Sequence, residues 1–206
     1  MNHITMNKEF KLVFATHNKG KYDEVKKMMP GNINLLSLND LNFKDDIKET
    51  GKTLKQNAKI KSDFIFKNFR INCFADDTGL EIDSLNGMPG IYSARFAGKT
   101  CNSQDNIEKV WKLLTGYKNT NAKFKSVFSL NINGKTFFFE GKIDGKIIFN
   151  KRGDNGFGYD SIFIPNGYTK TFAELNLIEK NEISHRSEAI KRLIIFLDEQ
   201  KFCKLK

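Results

Sequence analysis

Apolar residues fall along this chain in short bursts whose period changes from one element to the next. Lys11–Thr16 is apolar at its centre and predicts a buried strand. From Asn18 to Met29 the apolar positions are Tyr22, Val25, Met28 and Met29, a helical spacing ended by Pro30-Gly31. Ile33–Leu36 predicts a second strand, and the polar stretch 37–52 a loop. Thr53 and Gln56 have capping-box spacing and open a helix to about Lys67. Ile71–Ala75 predicts a short strand that delivers Asp76-Asp77-Thr78-Gly79, residues 80–84 a further strand, and 86–99 a turn-rich loop. Ile107, Val110, Trp111 and Leu114 mark the inner face of a helix over Ser103–Leu114, with Trp111 in the core. Ala122–Ile132 and Thr136–Phe149 predict two long strands joined at Asn133-Gly134, a strong hairpin signal. The run Phe137–Phe139 is expected to be buried on both faces or at a subunit interface. Gly156–Ile164 reads as a loop feeding a strand, and a helix capped by Ser184 covers His185–Glu199.

Strands interleaved with helices early and a hairpin late predict a mixed α/β fold, a twisted sheet flanked by helices. The long central loops suit two lobes with a cleft between them. With 206 residues, one such domain over 11–200 is expected, with a flexible leader at 1–10 and a tail at 201–206. No stretch approaches 18 apolar residues, and the start MNHITMNKEFK lacks the apolar core of a secretory signal. No membrane association and a cytoplasmic location are expected. Cys73, Cys101 and Cys203 are too few and scattered for a disulfide scaffold or a zinc site. The net charge is +10, carried by 29 Lys and 5 Arg, yet no basic run exceeds two residues. Dispersed lysines beside 22 Asn fit a biased coding composition better than a nucleic-acid surface. A small anionic substrate needs only local positive charge.

Five places carry candidate chemistry. Thr16, Asn18 and Lys21 stand where a buried strand ends and a helix begins, an arrangement suited to phosphate oxygens. A plain helix cap beside surface lysines has the same spacing. Asp76-Asp77 would repel each other unless a cation lies near, and Mg²⁺, which takes oxygen ligands, fits. One carboxylate can then ligate metal while the other orients or deprotonates water; an exposed acidic turn is the alternative. Lys61 shares a helix stripe with Leu54, Ala58 and Ile65, either turned inward or snorkelling out, and Glu49 lies just before that helix. In the run 153–160, three glycines let the backbone approach a flat ligand, and Phe157 has no local neighbours to pack it. It can stack on a base or fill a core. Finally, His185 and Arg186 present donors suited to a carbonyl edge.

Six stretches recur together: FATHNKGK (14–21), ETGKTLKQNAKIK (49–61), FADDTGLEIDSLNGMPGIYSARFAG (74–98), GFGYDSIF (156–163), TFAEL (171–175) and EKNEISHR (179–186). In that order they resemble the inosine/xanthosine triphosphate pyrophosphatase family, over Lys11 to about Leu197. The resemblance implies a homodimer of two-lobed subunits with the active site in the interlobe cleft. It implies Mg²⁺-dependent hydrolysis of ITP, dITP and XTP to monophosphate and pyrophosphate. By likeness, Thr16, Asn18 and Lys21 form the triphosphate cradle and Lys61 a further phosphate ligand. Glu49 and Asp76 are metal-linked acids, and Asp77 is the general base and also touches the metal. Phe157, Gly158, Tyr159 and Asp160 belong to the base pocket, with Lys180, His185 and Arg186 as nucleobase readers. Thr78 replaces the commoner serine and keeps a hydroxyl for substrate. Ser161 stands where proline is usual, and Gln56 where glutamate is frequent. A house-cleaning pyrophosphatase for another modified nucleotide is the nearest alternative, and a basic nucleic-acid-binding module a more distant one.

Overall fold

The computed structural model describes residues 10–200 and 202. The expected leader and tail therefore fall, but for Phe10 and Phe202, outside the described residues, as does Cys203. Strand β1 (Phe10–Phe14), helix α1 (Lys19–Met28) and strand β2 (Ile33–Ser37) form a parallel βαβ unit in register from Phe10↔Ile33 to Phe14↔Ser37. Helix α2 (Leu54–Phe69) then brings the chain to the other side of β1, where strand β3 (Cys73–Ile82) lies parallel to it. After helix α3 (Ser103–Leu114) the sheet continues antiparallel through β4 (Asn121–Ile132), β5 (Lys135–Ile147) and β6 (Phe163–Pro165). The strand order is β2-β1-β3-β4-β5-β6. Helices α4 (Leu177–Ile183) and α5 (His185–Glu199) complete the chain.

The core divides as a two-lobed α/β fold requires. Leu12, Phe14, Phe74 and Phe128 pack with Val25 of α1 and Leu193 of α5 on one face of the sheet, and the Phe14 and Phe74 rings stack at 4.6 Å. Val13 and Ala75 meet Ile65 of α2 on the opposite face. A separate cluster gathers Leu80 and Ile82, at the far end of β3, with Val110, Phe124 and Phe163. Asn133 and Gly134 make the β4–β5 hairpin turn, both at positive φ.

The expected strand break at Asp76 does not exist. β3 is one strand of ten residues, and β4 pairs with every one of them, from Cys73↔Asn131 to Ile82↔Ala122. Two adjacent carboxylates do not interrupt it because a strand sends them to opposite faces, where each meets a cation. The other neighbour of β3 is incomplete. β1 pairs with it only at Val13↔Cys73 and Phe14↔Phe74, so beyond Ala75 that edge has no strand beside it among the described residues. Farther along, the 3₁₀ segment Gly90–Arg95 closes on the edge at Gly79. A Cβ on Gly79 would stand 2.6 Å from the Gly90 carbonyl oxygen, which is why the position is glycine.

Smaller differences have local causes. Trp111 is half-buried on the rim of the far cluster because its Nε1–H donates to the Ile148 carbonyl at 2.8 Å. Phe137 and Phe139 pack half-buried on Phe196 of α5, and Phe138 lies on the other face beneath the Lys55 ammonium. Helix α4 was not expected; Ser184 ends it and caps α5.

Helix α5 approaches β5 so closely that a Cβ on Gly141 would lie 2.1 Å from the His185 carbonyl and 2.7 Å from the Ala189 nitrogen. Backbone atoms cannot swing aside, so Gly141→Ala is expected to lose roughly 1–3 kcal/mol of stability in urea unfolding.

Candidate active site

The gap beside β3, past the end of β1, receives groups from both faces of the sheet. Asn18 caps α1, its side chain accepting from the Lys21 N–H at 2.9 Å, and Thr16 Oγ1 accepts from the Asn18 N–H at 3.2 Å. Lys21 Nζ reaches Asp76 at 3.0–3.1 Å. Asp76 is 1 % exposed; Thr78 Oγ1 donates to it at 2.9 Å, and Arg186 Nε stands 3.5 Å away. Burial alone would raise the Asp76 carboxyl, but Lys21, Arg186 and Lys61 outweigh it and hold the group well below the usual carboxylate range.

Asp77 faces the α2 side. Asn57 Nδ2 donates to it at 3.0 Å, and the Lys61 ammonium lies 3.8 Å off. Lys61 thus occupies the inward stripe of α2, and it also binds Glu49 at 2.6 Å, which in turn accepts from Arg95 at 3.1 Å. Burial raises the Asp77 carboxyl above its ordinary value, and Lys61 and Lys21 reduce that rise without cancelling it. Burial opposes the charge on Lys61, but Asp77, Glu49 and Asp76 together raise its pKa.

On the side of the far lobe, Gly156 and Gly158 take positive φ and Phe157 sits between them. The Phe157 N–H donates to Asp160 at 2.9 Å, and Tyr159 Oη donates to the Ser93 carbonyl at 2.9 Å, which ties this loop to the 90–95 segment. His185 is buried and stacked on Phe124 at 4.8 Å, with neither ring nitrogen hydrogen-bonded among the described residues. The resulting cleft has a volume of about 450 Å³. Every expected site residue lines it except Asp76 and Lys180, which stand behind its wall.

A sequence profile of the Ham1 family matches residues 12–196. The chain belongs to the Ham1 family. The dITP/XTP pyrophosphatase of Flavobacterium johnsoniae is 50 % identical over 187 residues, spanning 91 % of this chain and 97 % of that protein. The enzyme of the same name from Christiangramia forsetii is 49 % identical over 187 residues, 91 % of this chain and 98 % of its own. Among solved structures, the Staphylococcus aureus Ham1 protein superposes with a TM-score of 0.83 at 38 % identity, covering 92 % of this chain and 99 % of its own. A HAM1 protein from Coxiella burnetii gives 0.84 at 35 %, with the same two coverages.

In this Ham1 family chain, three residues of the site escaped the sequence reading: Asn57 and Arg95, which hold Asp77 and Glu49, and Glu24. Glu24 of α1 is 3 % exposed and accepts from Lys180 at 2.6 Å and from Arg186. Two of the three residues expected to read a base, Lys180 and Arg186, are thus held by one buried carboxylate, and Lys180 also donates to Asp160 at 2.6 Å. Burial would raise Glu24, but Arg186 and Lys180 outweigh it and lower its pKa. Burial and the cations Arg186 and Lys180 hold His185 well below the ordinary imidazole value, so its ring is neutral, with one donor and one acceptor. Nothing local marks Glu24, whose partners lie 156 and 162 residues away.

Removing one member of a buried charge cluster leaves the others uncompensated. Glu24→Gln is expected to cost about 3 kcal/mol of unfolding free energy near neutrality. A lowered carboxylate contributes fully above its unfolded pKa, about 4.3, and loses that contribution as pH falls toward the folded value. Urea midpoints of the native and Glu24→Gln proteins should therefore converge as the pH falls below about 5.

Proposed function

We propose that this protein hydrolyses the non-standard purine nucleoside triphosphates ITP, dITP and XTP, releasing the monophosphate and pyrophosphate. The observation that carries this reading is the gap beside β3, where two lysines and two carboxylates from opposite faces of the sheet meet an open helix start. The names of the Flavobacterium and Christiangramia relatives support the reaction class.

The triphosphate lies along the start of α1. Backbone N–H groups there, with Thr16, Asn18, Thr78 and the Lys21 ammonium, take its oxygens. Lys61 faces it from α2 and balances the charge that gathers as water attacks the α-phosphorus. Asp77 accepts the proton of that water. Asn57 fixes its orientation. Asp76 acts through Lys21 and Arg186, which it holds in place.

Among the described residues no group of three His, Cys, Asp or Glu side chains is gathered for a metal ion. Mg²⁺ commonly uses only one or two carboxylates and completes its shell with phosphate and water. Glu49 and Asp77 suit it, because their oxygens already converge on one cation, Lys61 Nζ, from 2.6 and 3.8 Å. When bound, Mg²⁺ supplies charge neutralisation at the phosphates.

The base lies against Phe157, with His185 donating its ring N–H to a 6-carbonyl. Adenine presents an amino group there, and the buried donor is left facing another donor, at a cost of about 1–3 kcal/mol. A homodimer and a cytoplasmic setting belong to the same reading; no described helix is long and apolar enough to cross a membrane.

The deciding experiment is product analysis with ITP, dITP, XTP, GTP, ATP and modified pyrimidine nucleotides, with and without Mg²⁺. IMP and pyrophosphate are expected from ITP, and IDP with phosphate would refute the bond assignment. ATP should be turned over at least ~10-fold less efficiently than ITP. Asp77→Asn should retain ITP binding while turnover drops at least ~100-fold; near-normal turnover would remove Asp77 from the chemistry.

A further inference from the structure

Gly20 lies in the first turn of α1 without any backbone reason to be glycine. Its φ is not positive, and the helix would accept alanine, the better helix former. The reason is across the chain. A Cβ at position 20 would stand 2.5 and 2.7 Å from two carbons of the Phe157 ring and 3.3 Å from Asn18 Oδ1. The ring edge therefore rests on bare helix backbone. Above it lie two cations, Lys180 Nζ at 5.1 Å from the ring centre and the Arg186 guanidinium at 5.5 Å. Phe157 is also the partition between the main cleft and a second hollow of about 240 Å³, whose wall includes Gly20.

We infer that Gly20 is a positioning residue for base recognition: its missing side chain is the seat that sets where the Phe157 ring stands in the cleft. The inference rests on the reading of Phe157 as the base-stacking residue. A methyl group at position 20 drives the ring off its seat, toward the space the base requires. The contact is with the edge of a side chain, which can rotate, so the substitution displaces the ring without unfolding the helix. Stability and base binding then move in opposite directions.

The test is a double-mutant cycle with ITP as substrate and inorganic tripolyphosphate, which has no base, as competing ligand. Gly20→Ala should raise KM for ITP about tenfold while kcat stays within about threefold, and its thermal midpoint should be equal or higher. Its inhibition constant for tripolyphosphate should stay within about twofold, since the methyl group collides with the Phe157 ring, meets Asn18 Oδ1 only at 3.3 Å and leaves the backbone N–H groups in place. In a Phe157→Leu background, Gly20→Ala should change KM by less than about twofold. The role of Gly20 is overturned by an unchanged KM, by tripolyphosphate inhibition weakening in step with KM, or by equal KM changes in both backgrounds. A thermal midpoint lowered by Gly20→Ala and restored by adding Phe157→Leu would make the contact structural, and would overturn it too. Wild-type KM in Phe157→Leu alone would instead overturn the stacking reading, whereas raised KM there with unchanged KM in Gly20→Ala overturns only the seat.

Discussion

Two carboxylates that adjoin in a buried strand cannot both stay ionised unless each has its own countercharge, and the pleat of β3 supplies the means. Asp76 turns to the face covered by α1 and α5, where Lys21 and Arg186 wait; Asp77 turns to the face covered by α2, where Lys61 and Asn57 wait. The same sequence pair thereby acquires two environments. One carboxyl is driven down by cations and the other is held up by burial. Divergent acidities in adjacent groups are how a site separates a fixed anion from a proton acceptor. Neither helix layer can be moved without stranding a charge, so the electrostatics of the pair and the layering of the fold are one constraint.

The sheet leaves room for this arrangement by omission. β1 is joined to β2 on one side through α1, and the chain then crosses through α2 to place β3 on the other. Connections leaving in opposite directions open a crevice at the carboxyl end of the middle strand, where open α/β sheets receive ligands. Here β1 stops after two pairs with β3, and the crevice becomes a slot along a stretch of β3 edge that no described strand covers. The far lobe reaches back over it through the Tyr159–Ser93 hydrogen bond, which holds together residues 66 positions apart.

What periodicity reports, the sequence carried plainly. α3 and α5 occupy the residues their apolar spacing predicts, and Asn133-Gly134 turns where a left-handed pair is demanded. The helix cap at Asn18 and the inward stripe holding Lys61 were equally local signals. What failed depended on distant partners. Asp76-Asp77 looked like the end of a strand because charge is rare in strands, and only the unbroken ladder to β4 and the cations across the chain reverse that. Glu24 reads as one more polar residue of a lysine-rich helix until α4 and α5 deliver Lys180 and Arg186 to it. Trp111 kept its hydrophobic spacing, but an indole N–H seeks a carbonyl, and Ile148 offered one at the rim.

Ser184 closes α4 and opens α5 with no residue to spare between the two helices. Lys180 is one turn before this joint, and His185 and Arg186 directly after it, so all three are indexed to a single hydroxyl-capped elbow. Each residue of an α-helix advances the side-chain direction by about 100°. One inserted or deleted residue within 180–186 would therefore swing the imidazole and guanidinium away from the slot, though every amino acid survived. The hairpin tip at 133–134 has no such phase to keep. Length drift among descendants of this chain should collect at the tip and be absent from the elbow.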